Sequence, residues 1–223
     1  NGFVGSHVCD LFKIQKINTL ELSRSDVDLS SKNAVKKLIA LLNHEDIILI
    51  TAANAPVKNN KMLVQNIEMI EKIITAIEAL QITRVIYVSS DAVYTDIKTP
   101  MTEHSGTEPL SLHGIMHLTR EIMLKNIPNI NLSIVRPTLI YGHKDPHNGY
   151  GPNQFFKLLS EGKDISLFGK GEEERDHVYI YDVAKLINKL ILSHHNGILN
   201  IASGEVTTFK KIANKINNFY SNK

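Results

Sequence analysis

Two uninterrupted apolar runs, at residues 46–51 and 84–88, flank a longer segment in which isoleucine recurs at helical spacing. A strand without polar alternation is typical of a parallel sheet that is buried on both faces. The amphipathic segment between two such strands fits a helix that crosses over and covers the sheet. Because this alternation continues along the chain, the sequence predicts an α/β fold with a doubly wound parallel sheet. We expect strands at 19–22, 46–51, 84–88, 132–135, 164–168, 177–180 and 198–201, and helices at 6–12, 33–43, 66–80, 112–124, 155–160, 183–193 and 208–219.

The composition narrows the class of protein. Of the 223 residues, 25 are Lys or Arg and 23 are Asp or Glu, so the net charge is only +2 and predicts no basic stripe for nucleic acid. The one cysteine, Cys9, cannot form an internal disulfide, and its place beside Val8 and Leu11 favours a small buried apolar residue. No apolar run reaches the roughly 18 residues of a membrane span. We therefore expect a cytoplasmic protein that binds neither nucleic acid nor membrane.

Two glycines, Gly2 and Gly5, stand three residues apart immediately before the first predicted helix. Ahead of a strand–helix alternation, this spacing predicts the last part of a dinucleotide-binding loop. In such a loop one glycine lets the backbone approach the pyrophosphate, and the N–H groups of the helix N-terminus bind the phosphates. The spacing therefore predicts that Gly2, Phe3, Val4 and Gly5 bind the cofactor.

The first glycine of such a loop, and the apolar strand in front of it, would precede Asn1. In a doubly wound sheet that strand is central, so we expect the sheet to lack it between the strands at 19–22 and 84–88. The alternative, a natural N-terminus, would leave buried backbone groups of the sheet unpaired. The expectation is wrong if the two strands pair directly or if another segment lies between them.

The end of the second predicted strand bears on the choice of cofactor. Folds that bind NAD usually carry an acidic residue there, which holds the ribose hydroxyls of the adenosine. Here Ser23 takes that position and Arg24 follows it, with Asp28 downstream beside the expected adenine. A guanidinium at Arg24 suits the 2′-phosphate of NADP, and a solvated loop arginine is the alternative. The sequence assigns these three residues to cofactor binding and favours NADP over NAD.

Three further segments carry a family resemblance. Residues 88–94 read Val-Ser-Ser-Asp-Ala-Val-Tyr, residues 136–142 read Arg-Pro-Thr-Leu-Ile-Tyr-Gly, and residues 175–183 read Arg-Asp-His-Val-Tyr-Ile-Tyr-Asp-Val. In this order and spacing they resemble the extended short-chain dehydrogenases/reductases, the NAD-dependent epimerase/dehydratase family. The resemblance implies a Rossmann-like domain that lacks its first strand, over residues 1–142, and a partial α+β substrate-binding lobe, over residues 143–223.

The resemblance also implies roles for substrate-binding residues. Ser90 matches the serine or threonine that hydrogen-bonds the reacting sugar oxygen, and Asp91 beside it is assigned to the substrate. Arg175 matches the arginine that grips the diphosphate of a nucleotide sugar, a task suited to its forked donors. Asn153 is a weaker match to a polar residue near that diphosphate.

Other positions are assigned by the same resemblance. Ala52 and Ala53, which follow the strand at 46–51, are assigned to the cofactor. Ala92 stands where the family's sugar dehydratases carry a glutamate, so dehydration of that type is not expected. Asn66 and Asp182 match positions with a mainly structural role.

The active-site pair of the family is altered in this chain. The family uses Tyr-x-x-x-Lys on one helix face, where the tyrosine takes a proton from a sugar hydroxyl and the lysine lowers the tyrosine pKa. His113 falls on the tyrosine position and His117 on the lysine position, in a register supported by Gly114 and the pair 120–121. The lysine position implies that His117 also contacts the nicotinamide ribose.

Three interpretations of this His-x-x-x-His segment are open from the sequence. In the first, His113 is a working acid/base, because imidazole titrates near neutral pH unaided. In the second, the site only binds cofactor or sugar nucleotide. In the third, His113, His117 and Glu121 bind a metal. We favour the first, because Ser90 and Arg175 are both kept, and we expect no metal. The His113 ring should then open toward the cleft, within reach of Ser90, rather than pack into the apolar face of its helix.

We therefore expect an NAD(P)-dependent oxidoreductase or epimerase that acts on a nucleotide-activated sugar, in the biosynthesis of surface polysaccharide. The rival interpretation is a catalytically inactive protein of the same fold that binds a sugar nucleotide or NADP. The expected partner is a nucleotide sugar, and a homodimer is compatible with either interpretation.

Overall fold

The computed structural model describes residues 2–95, 100–146 and 148–221. Helices and strands alternate through most of these residues, in the order that the apolar runs predict. A short 3₁₀ turn, the 91–93 turn, follows the second strand. The helices are α1 (Phe3–Ile14), α2 (Ala34–Leu41), α3 (Asn60–Ala79), α4 (Leu112–Lys125), α5 (Pro152–Ser160), α6 (Ile180–Ser193) and α7 (Phe209–Ser221), and the strands are β1 (Ile47–Ile50), β2 (Arg84–Val88), β3 (Asn131–Pro137), β4 (Leu139–Tyr141), β5 (Glu174–Tyr179), β6 (Gly197–Ile201) and β7 (Val206–Thr208).

The main sheet is parallel, with the strand order β1–β2–β3–β6. Its apolar strands are covered on both faces, which is why they lack polar alternation. Helices α2, α3 and α4 contribute to the core on one face, and α1 and α6 contribute to the core on the other. This arrangement confirms the predicted Rossmann-like, doubly wound α/β fold.

A smaller sheet and two helices form the rest of the described structure. Strand β5 pairs in parallel with β4 and antiparallel with β7. Helices α5 and α7 pack together around Phe155, Phe209 and Ile216. Because β6 belongs to the main sheet, the second half of the chain is interleaved with the first. The division into domains at residue 142 stays a prediction.

The prediction of a vacant place between residues 19–22 and β2 is wrong. Strand β2 pairs with β3 on one side and with β1 on the other. Strand β1 therefore occupies the place beside β2 that was expected to be vacant. Residues 19–22 are not a strand within the described chain, because no neighbouring segment pairs with their backbone. Side chains hold this segment instead: Glu21 pairs with Lys13, the Thr19 hydroxyl donates to the carbonyl of Ile17, and Leu22 packs against the core under α2 and α3.

Residues 164–168 do not form the predicted strand either. Ile165 and Leu167 pack against the α5–α7 core, whereas Phe168 is 76% exposed and its N–H donates to the hydroxyl of Tyr150. Side-chain packing and not strand pairing therefore holds this segment in place. Strands β4 and β7, of three residues each, are too short for the sequence pattern to reveal. Across the described residues, no helix has the length and apolar character needed to cross a membrane.

Candidate active site

The N-terminus of α1 lies against the carboxyl end of β1. A Cβ at Gly5 would lie 2.9 Å from Oγ1 of Thr51, so glycine allows the helix this close approach. No side chain of the described residues caps α1, and the first-turn N–H groups of Phe3 and Val4 lie at the positive end of its dipole. An uncapped helix end and a glycine at the strand are the features that a dinucleotide pyrophosphate requires, so these residues fit the predicted cofactor.

The loop after β1 is held next to this helix end. Arg120 donates from Nη2 to the carbonyl of Ala52, at 2.9 Å, from its buried place on α4. Asn66 is fully buried and exchanges hydrogen bonds with the backbone of Asn54, at 2.9 and 3.0 Å. These contacts agree with a structural role for Asn66. They also keep Ala52 and Ala53 beside the N-terminus of α1, where the sequence analysis places the cofactor.

The predicted adenosine-binding residues form a surface turn of their own. The backbone N–H and the hydroxyl of Ser23 both donate to Asp26, which lowers the pKa of that carboxyl. Arg24 is 85% exposed, and its Nε lies 3.6 Å from a carboxylate oxygen of Asp28. Asp28 in turn accepts hydrogen bonds from the N–H and hydroxyl of Ser30. Arg24 is therefore accessible, but a carboxylate is its nearest partner.

A close helix contact packs the first turn of α4, which carries the predicted base His113, on the short turn that Ser90 caps. A Cβ at Gly114 would lie only 2.0 Å from the carbonyl oxygen of Ala92, so the first turn of α4 presses directly on the 91–93 turn. Ser111 caps α4 by accepting the N–H of Gly114 at 3.1 Å. Ser90 caps the 91–93 turn in the same way, accepting the N–H of Ala92 at 3.1 Å. The two caps bring the turn of α4 that carries His113 onto the segment that carries Ser90.

Asp91 and Arg175 are linked electrostatically at this place. Burial raises the pKa of the Asp91 carboxyl, and a hydrogen bond from Ser90, at 3.2 Å, and the positive charge of Arg175 lower it in part. Arg175 itself is 43% exposed and pairs with Glu173 at 2.6 Å. The charge of Arg175 thus acts on the Ser90–Asp91 segment, and its role toward a diphosphate stays a prediction.

Asn153 serves the loop that follows β4. Its Oδ1 accepts the N–H of Gly142 at 3.0 Å, and its Nδ2 donates to Asp145 at 2.7 Å. It lines a surface pocket of about 340 Å³ with Tyr141 and Tyr179, among others. Tyr179 lies four residues beyond Arg175 on β5, roughly 13 Å along the strand. The structure thus gives Asn153 a loop-closing contact, and its role toward a substrate stays a prediction.

The two histidines of α4 differ in their surroundings. His117 is only 6% exposed, and its Nδ1 lies 2.7 Å from the hydroxyl of Tyr87. His113 is half-buried, and its ring meets the ring of His117 edge to face, with the centroids 4.7 Å apart. Burial, together with the charges of His113 and Arg120, lowers the pKa of His117 well below its ordinary value. His117 is therefore neutral at pH 7 and cannot supply the positive charge of a lysine.

A buried ion pair lies one turn further along α4. Glu121 is fully buried and accepts hydrogen bonds from Nε and Nη2 of Arg136, at 3.0 and 2.6 Å. The hydroxyl of Ser89 donates to the same carboxylate at 2.6 Å. Because both carboxylate oxygens are engaged in this way, Glu121 does not join the two histidines as a metal ligand. In the part of the chain that the structure describes, no three His, Cys, Asp or Glu residues could together hold a metal ion.

The sequence analysis missed the layer of residues beneath the site. In the sequence, Tyr87 was interpreted only as part of a strand, Ser89 only as part of the motif at 88–94, and Arg120 only as part of a helix register. One signal was available, because Tyr87 near the end of β2 and Ser89 just after it are two residues apart and both meet α4. A polar residue recurring on one face of an otherwise apolar strand indicates partners on the covering helix.

The surroundings of His117 predict how the stability of the protein depends on pH. In the unfolded chain a histidine titrates near pH 6.5, whereas His117 must stay neutral in the folded protein. The stability that depends on neutral His117 is fully present above about pH 6.5. As the pH falls further, the free energy of unfolding decreases by no more than about 1.4 kcal/mol per pH unit on this account. The free energy of unfolding, measured with urea at pH 7.5 and 5.5, should fall less in His117→Asn than in the wild type.

Asparagine is chosen there because it does not titrate and its side chain can both donate and accept hydrogen bonds. The matched control is His194→Asn, at an exposed residue whose left-handed backbone, with φ of 55°, suits asparagine. This control should keep the pH dependence of the wild type. An equal fall in His117→Asn and the wild type would show that His117 gains no proton on unfolding in this range.

The chain is similar to proteins of known sequence and structure. Residues 1–202 match the sequence model of the NAD dependent epimerase/dehydratase family. An uncharacterised UDP-glucose epimerase of Bacillus subtilis (strain 168) is 25% identical over an alignment of 249 residues, covering 96% of this chain and 78% of that protein. The crystal structure of UDP-N-acetylglucosamine 4-epimerase from Bacillus cereus matches with a TM-score of 0.88, at 26% identity over 100% of this chain and 80% of the other. In fold alone, UDP-glucose 4-epimerase of Thermus thermophilus in complex with NAD is similar, with a TM-score of 0.85, 18% identity and coverage of 99% and 81%.

Proposed function

We propose, since the chain belongs to the NAD dependent epimerase/dehydratase family, that it catalyses the NAD(P)-dependent epimerisation of a nucleotide-activated sugar. The observation that carries the proposal is the contact between Gly114 and the carbonyl of Ala92. It sets the turn of α4 that carries His113 against the turn that carries Ser90, beyond the carboxyl end of β2. In open α/β sheets, ligands bind at these strand ends.

Each residue of the proposed site has its own role in the reaction. His113 takes the proton of the sugar hydroxyl, while the Ser90 hydroxyl hydrogen-bonds the same oxygen and holds it in place. Arg175 binds the diphosphate and so fixes the distance of the sugar from His113. When bound, the dinucleotide would accept the hydride from the sugar carbon and return it to the opposite face of that carbon, and His113 returns the proton to the sugar oxygen.

A direct assay tests this function. The whole protein should be incubated with UDP-glucose or UDP-N-acetylglucosamine, the nucleotide sugars in the names of two relatives, together with NAD or NADP. We expect NMR spectroscopy to detect the C4 epimer of one of these sugars. Binding of a sugar nucleotide without turnover, for both sugars and both cofactors, would contradict the proposal. The roles in surface polysaccharide, the cytoplasmic location and the homodimer stay predictions.

One observation favours the alternative of an inactive binding protein. His117 is buried and neutral, so no ammonium group stands behind His113 to support charge transfer. A family member that had lost its lysine would keep the cofactor and diphosphate sites without the chemistry. Calorimetric binding of a sugar nucleotide in the presence of cofactor, with no epimer formed, is the result that this alternative predicts.

The choice between cofactors gives a further prediction. Replacing Arg24 by alanine should weaken NADP binding several-fold and leave NAD binding unchanged, because only NADP presents a 2′-phosphate to the guanidinium. The effect stays small because Arg24 is exposed and its charge is screened by water. The measurement is the Kd of each cofactor by calorimetry.

Asp28→Asn is the matched variant for that experiment. It removes the carboxylate nearest to Arg24 and should therefore strengthen NADP binding while keeping the arginine. If Arg24→Ala weakens both cofactors equally, the residue does not read the 2′-phosphate.

A further inference from the structure

The contact between Tyr87 and His117 fixes where protons lie in the layer beneath the site. The Tyr87 side chain is 1% exposed, and its hydroxyl lies 2.7 Å from Nδ1 of His117. At this distance one of the two groups donates a proton to the other. The protonation state of each group therefore decides which nitrogen of His117 carries its hydrogen.

Both groups are neutral in the folded protein. Burial raises the pKa of Tyr87 to about 12, the charge of Glu121 acts in the same direction, and Arg120 opposes it in part. Arg120 has its guanidinium 5.5 Å from the centre of the Tyr87 ring, and this permanent charge disfavours a second positive charge on His117. A tyrosinate–imidazolium pair would place two more charges in a buried layer that already contains Arg120 and Glu121.

A neutral phenol has a hydrogen to donate, and a neutral imidazole has one nitrogen that accepts. The Tyr87 hydroxyl must then donate to Nδ1 of His117, so that Nε2 carries the imidazole hydrogen. We propose that Tyr87 is a positioning residue that holds His117 as its Nε2–H tautomer, which makes His117 a fixed, neutral hydrogen-bond donor to the nicotinamide ribose. The donor role rests on the proposed function, because it requires a bound dinucleotide, whereas the tautomer does not.

This assignment changes what replaces the lysine of the related enzymes. An ammonium group offers both a charge and rotating donors, whereas His117 offers one N–H in a fixed direction and no charge. The edge-to-face contact at 4.7 Å holds the His113 ring beside that of His117. The site therefore orients His113 and the ribose without a cation at the lysine position, and proton transfer depends on His113 itself.

NMR spectroscopy of the protein labelled with ¹⁵N-histidine tests the tautomer without any turnover. The ¹⁵N shifts should show a protonated Nε2 and an unprotonated Nδ1 for His117, assigned by the loss of its signals in His117→Asn. In Tyr87→Phe the hydrogen bond is absent, so the signals should shift toward a mixture of both tautomers. Tyr94→Phe removes another buried tyrosine hydroxyl, one bonded to Asn200, and should leave the His117 signals unchanged.

Addition of NAD to the whole protein tests the donor role. The ¹⁵N and ¹H signals of the His117 Nε2–H group should shift when NAD binds, and Tyr87→Phe should weaken NAD binding by up to about tenfold, the equivalent of one hydrogen bond. An Nδ1–H tautomer in the wild type, or an unchanged tautomer in Tyr87→Phe, would overturn the positioning role. Binding of NAD with no change at Nε2–H would overturn the donor role. A correct tautomer in a protein that binds NAD but forms no epimer would count against the proposed function alone.

Discussion

Replacing His113 by alanine should reduce the turnover of the nucleotide sugar by roughly 100- to 10,000-fold, the usual contribution of a general acid/base. The loss should fall on kcat, because the residues proposed to bind cofactor and diphosphate, such as Gly5 and Arg175, lie on other elements. Cofactor and nucleotide-sugar affinities should stay near wild-type values. The measurements are steady-state rates of epimer formation and calorimetric affinities for each ligand.

The controls for that experiment follow from the surroundings of His113. His104→Ala removes an exposed loop histidine and should not affect turnover. His113→Tyr should not restore full activity, because the neighbouring His117 is neutral and cannot lower the pKa of a phenol as a lysine does. Undiminished turnover in His113→Ala would exclude this residue as the base. It would favour another group at the site, such as the Asp91 carboxyl, as the base.

The fold was predictable wherever a segment is buried on both faces. Strands β1, β2 and β3 read as apolar runs because helices cover both sides of the sheet, and their positions agree with the sequence to within about two residues. The helices agree less well at their starts. Helix α3 begins six residues before its predicted start, at Asn60, because Asn59 caps it by accepting the N–H of Met62.

The failures of prediction share a physical cause. A strand exists only when its backbone pairs with a neighbour, and neither residues 19–22 nor residues 164–168 have that neighbour in the described chain. Their composition gave no sign of this. The prediction of a vacant place beside β2 failed for a related reason, because the order of strands in a sheet depends on long-range pairing that local patterns do not encode.

The candidate site was predictable where backbone geometry requires a particular residue. Gly5 and Gly114 both stand where a Cβ would collide with a neighbouring element. Because only glycine fits such positions, the sequence pattern around each of them indicated a functional segment. The buried layer was not predictable in this way. Nothing in the sequence pairs Glu121 with Arg136 or Tyr87 with His117, because these contacts join a helix to strands that are separate along the chain.

The ion pair of that layer should make a large contribution to stability. Glu121→Gln keeps the size of the side chain but removes the charge that balances Arg136, whose guanidinium is 2% exposed and stacks at 4.7 Å on the Tyr94 ring. Breaking one side of a buried pair leaves an uncompensated charge and typically costs about 3–5 kcal/mol. Urea unfolding at pH 7.5 should therefore show a loss of this size, or the variant should fail to fold.

Two further variants separate the charge from other effects of the substitution. Glu161→Gln breaks an exposed pair with Lys163 and should change the free energy of unfolding very little, since water screens both groups. Arg136→Met, added to Glu121→Gln, removes the stranded charge and should recover much of the loss, because an apolar side chain of similar volume needs no partner. If Glu121→Gln lowers the free energy of unfolding as little as Glu161→Gln, water must reach Arg136. The layer beneath His117 is then more hydrated than the structure indicates. If the double variant instead falls below the single one, Arg136 stabilises the protein through Tyr94 more than through Glu121.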